Sequence, residues 1–262
     1  MNIIGSPAML GDWADQAGLA GSVVHLRRVG GASIARDDGR WIYPASMIKT
    51  PLAVAVAAAA HTGRLHWDEP VDVVAANLTP NDAPSPLCAG YTSNPAELVD
   101  LMLSRSDNVA TNVLIDLIGR AQASADLASL GFTQTAVHRK LSGALPLIDD
   151  PAATGRNTHS ARDAADLFER IARDDVPGAQ RIAGALVKQY WNTKLSRGLR
   201  ANDRFAHKTG DTDEVSHDGG ILTLESGARY VLVVYSELAS NEDHDRCFEA
   251  FMRTLRSNLP GA

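Results

Sequence analysis

Residues 52–60 form an unbroken apolar run of Ala, Val and Leu, with no glycine or proline. Its length and alanine content predict a buried helix rather than a strand, opening near Ser46 and stopping at Thr62-Gly63. Upstream, 9–19 places Leu10, Trp13 and Ala14 on one helical face, and Gly18 and Gly21 end it. The stretch 22–29 is strand-like, Gly30-Gly31 is a hairpin signal, and 32–35 returns as a second strand. Pro70, Pro80, Pro84 and Pro86 break 64–86 into extended surface loop. Asn94-Pro95 opens a helix to Leu103, with Asn as cap and Pro at the first helical position. Further helices are expected over 107–119, 121–130, 160–172 and 179–190. Between them, 137–158 is irregular, and a loop of that length in a compact protein is usually functional. The period then shifts to strands at 204–209, 220–224 and 230–236, with turns at 211–218 and 225–227. A last helix covers 241–258.

This order implies an α/β (α+β) fold, with an antiparallel sheet of about five strands built from both ends of the chain. N- and C-terminal helices flank it, and an all-helical subdomain lies beside it. One domain over 1–262 divides into an α/β part, 1–40 and 195–262, and a helical part, 41–194. Clefts between such units are preferred ligand sites.

The net charge of −6 and the lack of basic clusters argue against nucleic acid as the main partner. No apolar run reaches membrane-spanning length without a charge or histidine. The first residues lack a basic n-region and an apolar h-region. The expectation is therefore a cytoplasmic protein, or an exported one without its leader. Cys88 and Cys247 make neither a disulfide framework nor a metal knuckle. The histidines show no paired spacing on one helix face, so no metal and no cofactor are expected.

The chemistry begins at Ser46-Met47-Ile48-Lys49. A hydroxyl and an amine three residues apart share a face of a helix start, where free N–H groups and the positive dipole end also lie. A buried lysine loses its proton readily and can activate a serine. Two further motifs follow in order: Ser106-Asp107-Asn108 at a helix start and Lys208-Thr209-Gly210 at a strand end. Each alone reads as an ordinary cap or strand end. Together, with the spacing from Ser46 to Ser106, they resemble class A β-lactamases and penicillin-binding proteins over nearly the whole chain.

The resemblance implies a β-lactamase/transpeptidase-like fold and a serine acyl hydrolase acting on a small molecule: a β-lactam, acyl amide or ester. Ser46 would be acylated and Lys49 would take its proton. Ser106 would pass a proton to the leaving nitrogen, and Lys208 would hold down the pKa of Lys49 and attract an anion. Asn108, Thr209 and Gly210 would contact substrate, and the backbone N–H groups of Ser46 and Asp211 would form the oxyanion hole.

Two departures qualify this. The family's deacylating glutamate would fall at Ser142, yet no Glu occurs from Val137 to Arg156. Asp149 and Asp150 are that loop's only carboxylates, and the family's asparagine one turn on appears as Pro146. Asp218 also stands where the family often grips a carboxylate with arginine, and Asp211 would repel an anion unless it points away. Acylation with weak deacylation is the first expectation. The alternatives are a D-alanyl peptidase or esterase, and a non-catalytic binding homologue. His207 should face away from Lys208, and His217 and Asp218 should face opposite ways. Tyr43 is expected to pack, Trp41, Trp67 and Trp191 to anchor core or rim, and Cys88 and Tyr91 are candidates for substrate contact.

Overall fold

The structure is a computed structural model describing residues 5–143, 146, 148, 153 and 155–260. The chain opens with helix α1 (Pro7–Gln16), then strands β1 (Val23–Arg28) and β2 (Ser33–Arg36). A 3-10 turn over Ala45–Ile48 leads into α2 (Lys49–His61). Short strands β3 (Val71–Asp72) and β4 (Thr92–Ser93) precede α3 (Pro95–Ser104), α4 (Asn108–Ile118) and α5 (Arg120–Ser129). After β5 (Thr135–Ala136) and β6 (Thr158–His159) come α6 (Ala161–Ala172) and α7 (Ala179–Val187). Strands β7 (Arg204–Asp211), β8 (Ser216–Thr223) and β9 (Arg229–Ser236) lead to α8 (Glu242–Asn258).

The main sheet has five antiparallel strands in the order β2-β1-β9-β8-β7. β1 pairs with β9, so the two ends of the chain do close one sheet. β7 is left as a free edge. β9 is buried on both faces: Val231, Val233 and Tyr235 join one core, and Tyr230, Leu232 and Val234 join the other. That alternation is the period of a strand, and burial of each such side chain stabilises by about 1.5–3 kcal/mol. α1 and α8 cover the second core. The helical part packs against the opposite face of the sheet, with α6 across β1, β8 and β9.

Local chemistry explains most element ends. Asn94 accepts from the Glu97 N–H at 2.9 Å, Ser160 from the Asp163 N–H at 3.1 Å and Asn241 from the His244 N–H at 2.9 Å. α1 starts and ends before the expected 9–19, because Ser6 caps it and Pro7 takes its first turn. α7 ends at Val187 rather than 190, where Gln189 turns inward to the Leu103 and His207 carbonyls.

β8 begins at Ser216, so the turn expected over 211–218 is shorter. Gly219 and Gly220 both lie within the strand. A Cβ at Gly220 would collide with the Ala206 carbonyl, so the paired strand β7 runs too close for any side chain there. The segment 64–86 is not a free surface loop. It carries β3 and a 3-10 turn over Ala75–Asn77, and it buries Leu65, Val73 and Asn77. Trp41 is no core anchor, being 55% exposed. Trp67 stacks under Arg181 at 4.6 Å, and Tyr43 packs against Arg156 at 4.9 Å. Among the described residues no helix is long and apolar enough to cross a membrane.

Candidate active site

Ser46 sits in the 3-10 turn, not in the α-helix itself. At three residues per turn, positions i and i+3 eclipse, which places Ser46 and Lys49 on one face. Ala45, just before it, has φ +46°, and Ser106 has φ +60°. Left-handed backbone at non-glycine residues is strained, and two of the four described cases flank this cleft.

Lys49 is fully buried at the start of α2. Its Nζ lies 2.6 Å from the Ser106 carbonyl, 3.0 Å from Ser106 Oγ and 2.7 Å from Asn108 Oδ1. Asp107 caps α4 through the Ala110 N–H at 2.8 Å, and this fixes its neighbours Ser106 and Asn108. Lys208, equally buried on β7, donates to Ser106 Oγ at 2.9 Å and to the Thr209 carbonyl at 2.7 Å. A hydroxyl both donates and accepts, so Ser106 bridges the two amines.

Burial first, and the Lys208 charge second, push the Lys49 pKa well below that of a free lysine. Burial lowers Lys208 to about 7, against the opposing pull of Asp211. Lys49 therefore gives up its proton far more readily than a free lysine, and Lys208 is close to half charged at neutral pH.

A cavity of about 440 Å³ opens along the free edge of β7, with Ser46, Ser106, Thr209, Asp211 and Trp191 among its walls. Lys49, Lys208, Asn108 and Gly210 stand outside that lining. Asn108 also donates its amide to the Pro80 carbonyl at 2.8 Å, so that NH₂ is engaged within the protein. Gly210 has a spatial reason: a Cβ there would lie 2.8 Å from the Pro44 carbonyl and 3.1 Å from Met47 Cγ. Only glycine lets the edge strand touch the Ser46 turn.

Neither Cys88 nor Tyr91 lines the cavity, and the Tyr91 hydroxyl donates to Glu97 at 2.9 Å. Asp218 is fully buried in β8, opposite Thr209, and does not line the cavity. It meets the His207 ring at 2.7 Å and the Leu195 N–H at 3.1 Å, so its carboxylate is engaged within the protein. Among the described residues no group of His, Cys, Asp or Glu could hold a metal. Asp149 and Asp150 lie outside the described residues.

Three residues escaped the motif reading. His217 Nε2 donates to the Tyr43 carbonyl at 2.7 Å, while Nδ1 accepts the Ser236 N–H at 3.2 Å. That neutral tautomer ties β8 to the chain just before Ser46. Lys194 is buried in the cavity wall and ion-paired with Asp211. Asn112, buried on α4, accepts from the Leu141 N–H and donates to its carbonyl, each at 2.8 Å, one residue before Ser142. None has a local signal, because every partner is remote in sequence.

A sheet edge, a strained serine turn and a hydroxyl shared by two buried lysines define a serine hydrolase of the β-lactamase type. The model of the β-lactamase enzyme family matches residues 9–254, and the chain belongs to that family. The β-lactamase VEB-1 of Pseudomonas aeruginosa is 22% identical over 218 residues, 72% of this chain and 68% of that protein. Among solved structures, a β-lactamase from Sphaerobacter thermophilus superposes with a TM-score of 0.82 at 25% identity, over 97% of both chains. PBP-A superposes with a TM-score of 0.81 at 24% identity, over 95% of both. A PBP-A mutant, described as an acyl-enzyme complex with penicillin G, gives 0.80 at 23%, over 96% of this chain and 95% of that one.

Proposed function

We propose that Ser46 is acylated by β-lactams or related amides and esters, and that the acyl-enzyme clears slowly. The observation that carries this is Ser106 Oγ held at 3.0 Å from Lys49 and 2.9 Å from Lys208. Neutral Lys49 takes the Ser46 proton as Oγ bonds to the carbonyl carbon. The backbone N–H groups of Ser46 and Asp211 receive the developing oxyanion. As the C–N or C–O bond breaks, Ser106 hands the leaving atom a proton drawn from the lysine pair. Water must then attack the ester, and no glutamate occurs in 137–156 to activate it. A missing general base slows such a step by about 10²–10⁴.

Incubation with penicillin G followed by intact-mass measurement tests this. A persistent single adduct that disappears in Ser46→Ala is expected. Free turnover without a detectable adduct would overturn slow clearance, and no adduct with any acyl donor would leave the non-catalytic binder. The peptidase or esterase reading has its own support. Asp211 already neutralises the cleft's buried Lys194, which weakens the hold on a carboxylate-bearing β-lactam.

A further inference from the structure

The wall of the Ser46 cavity carries more negative than positive charge. Asp82, Asp211, Asp213 and Asp245 line it, with Lys194 as the lining cation. Lys194 is 2% exposed, and its Nζ pairs with Asp211 Oδ1 while donating to the His217 carbonyl at 3.1 Å. Ser216 Oγ donates to the same Asp211 oxygen at 3.2 Å. Burial raises the Asp211 pKa, but the Lys194 charge and hydrogen bond outweigh it and hold the carboxyl below its usual range.

The Asp211 side chain remains 33% exposed toward the cavity. It therefore takes up the charge of Lys194, the cation in that wall, and leaves a carboxylate facing the cavity. Asp82 and Asp213 are exposed around the same opening. Asp245 Oδ1 is shielded and has no hydrogen-bond partner among the described residues. Opposite them, Lys208 is sequestered behind Ser106 and is satisfied by it and by Thr209. A cleft lined by one sign of charge concentrates ligands of the other.

We infer that this cleft selects acyl donors bearing an ammonium group, such as an amine-carrying peptide or ester, and that Asp211 is the residue that turns carboxylates away. The inference rests on Ser46 being the acylated nucleophile. It names a substrate class for that same site.

Three nitrophenyl esters of matched length test it: 6-aminohexanoate, hexanoate and the monoester of adipate. The rate of Ser46 acylation is read by intact mass at pH 7 and low salt. In the wild-type chain the ammonium ester should react about tenfold or more faster than the carboxylate ester, with the neutral ester between. Salt at ~1 M should shrink the ratio, because the Debye length falls to about 3 Å. Asp211→Asn should cut the ratio at least about fivefold. Asp213→Asn, on the exposed turn, should cut it about twofold and guards against misfolding of the first variant. A carboxylate ester that reacts as fast as the ammonium ester, or a ratio unmoved in both variants, would sink the charge selection alone. If none of the three esters modifies Ser46, the acyl-transfer reading fails and takes this one with it.

Discussion

Lys49 and Lys208 meet at one hydroxyl, that of Ser106, with neither amine open to water. Two ammonium groups so close disfavour each other, so one of the pair must give up its proton readily. Lys49 is the more perturbed, and Lys208 sits at about 7. Acylation of Ser46 by an uncharged ester should therefore fall as pH rises through about 7, where Lys208 loses the charge it directs at Ser106. Lys208→Arg keeps a cation at every accessible pH. The alkaline limb should vanish in that variant even though the rate drops. Acylation rates measured from pH 5 to 10 decide the matter, and a limb that stays near 7 in both proteins assigns it to another group.

The contact of Gly210 with Pro44 and Met47 predicts a separation of folding from function. Gly210→Ala puts a methyl 2.8 Å from the Pro44 carbonyl, so β7 and the serine turn must part. Overpacking of this kind costs about 1–3 kcal/mol. The chain should still fold, with a lowered urea midpoint, while acylation of Ser46 falls about 10²-fold, because a displacement of about 1 Å has that effect on an aligned reaction. Wild-type acylation in the alanine variant would mean that the turn and the strand act independently.

Acid stability follows from two buried imidazoles. Burial lowers His217 to about 4 and His159 to about 3, from the usual 6.5. Both rings are neutral in the folded chain while the unfolded chain takes up protons. The unfolded state thus binds more protons below about 6.5, and stability falls as pH drops from there through about 4 and 3. Each ring contributes on the order of 3–5 kcal/mol across its window. His217→Gln and His159→Gln should each flatten the slope of unfolding free energy against pH, by about 1.4 kcal/mol per pH unit between 6 and 4.5. Urea titrations over that range read it directly, and an unchanged slope in either variant removes that residue from the account.

What the chain's pattern revealed divides along the range of the forces involved. Helix starts at Asn94, Ser160 and Asn241 were legible because a cap bonds within three residues of itself. The sheet was legible because β9 is apolar on both faces. Ser46, Lys49, Ser106 and Lys208 stood out as ordered motifs, and three of them now form one hydrogen-bonded group around Ser106. Lys194 gave no sign. It sits in an irregular stretch, and its meaning comes from Asp211 on a different element. His217 was set aside because its immediate neighbour faces the other way. Its actual partner, Tyr43, lies at the other end of the chain.

The last prediction concerns the missing base. Asn112 grips both backbone groups of Leu141, so Ser142 follows directly on a tethered residue. A side chain introduced at 142 therefore starts from an anchored backbone, not from a free loop. Ser142→Glu should install a carboxylate where the family resemblance expects one. A positioned general base contributes about 10²–10⁴. Decay of the penicilloyl adduct, followed by intact mass, should quicken by at least about tenfold while the rate of its formation stays within about threefold. Adding Asn112→Ala should cancel the gain, because Leu141 would lose both tethers and the new carboxylate its bearing on Ser46. If Ser142→Glu leaves adduct decay unchanged, the register that assigns 142 to the deacylating position is wrong. The search for a base then moves to the other carboxylates that border Ser46, beginning with Asp82.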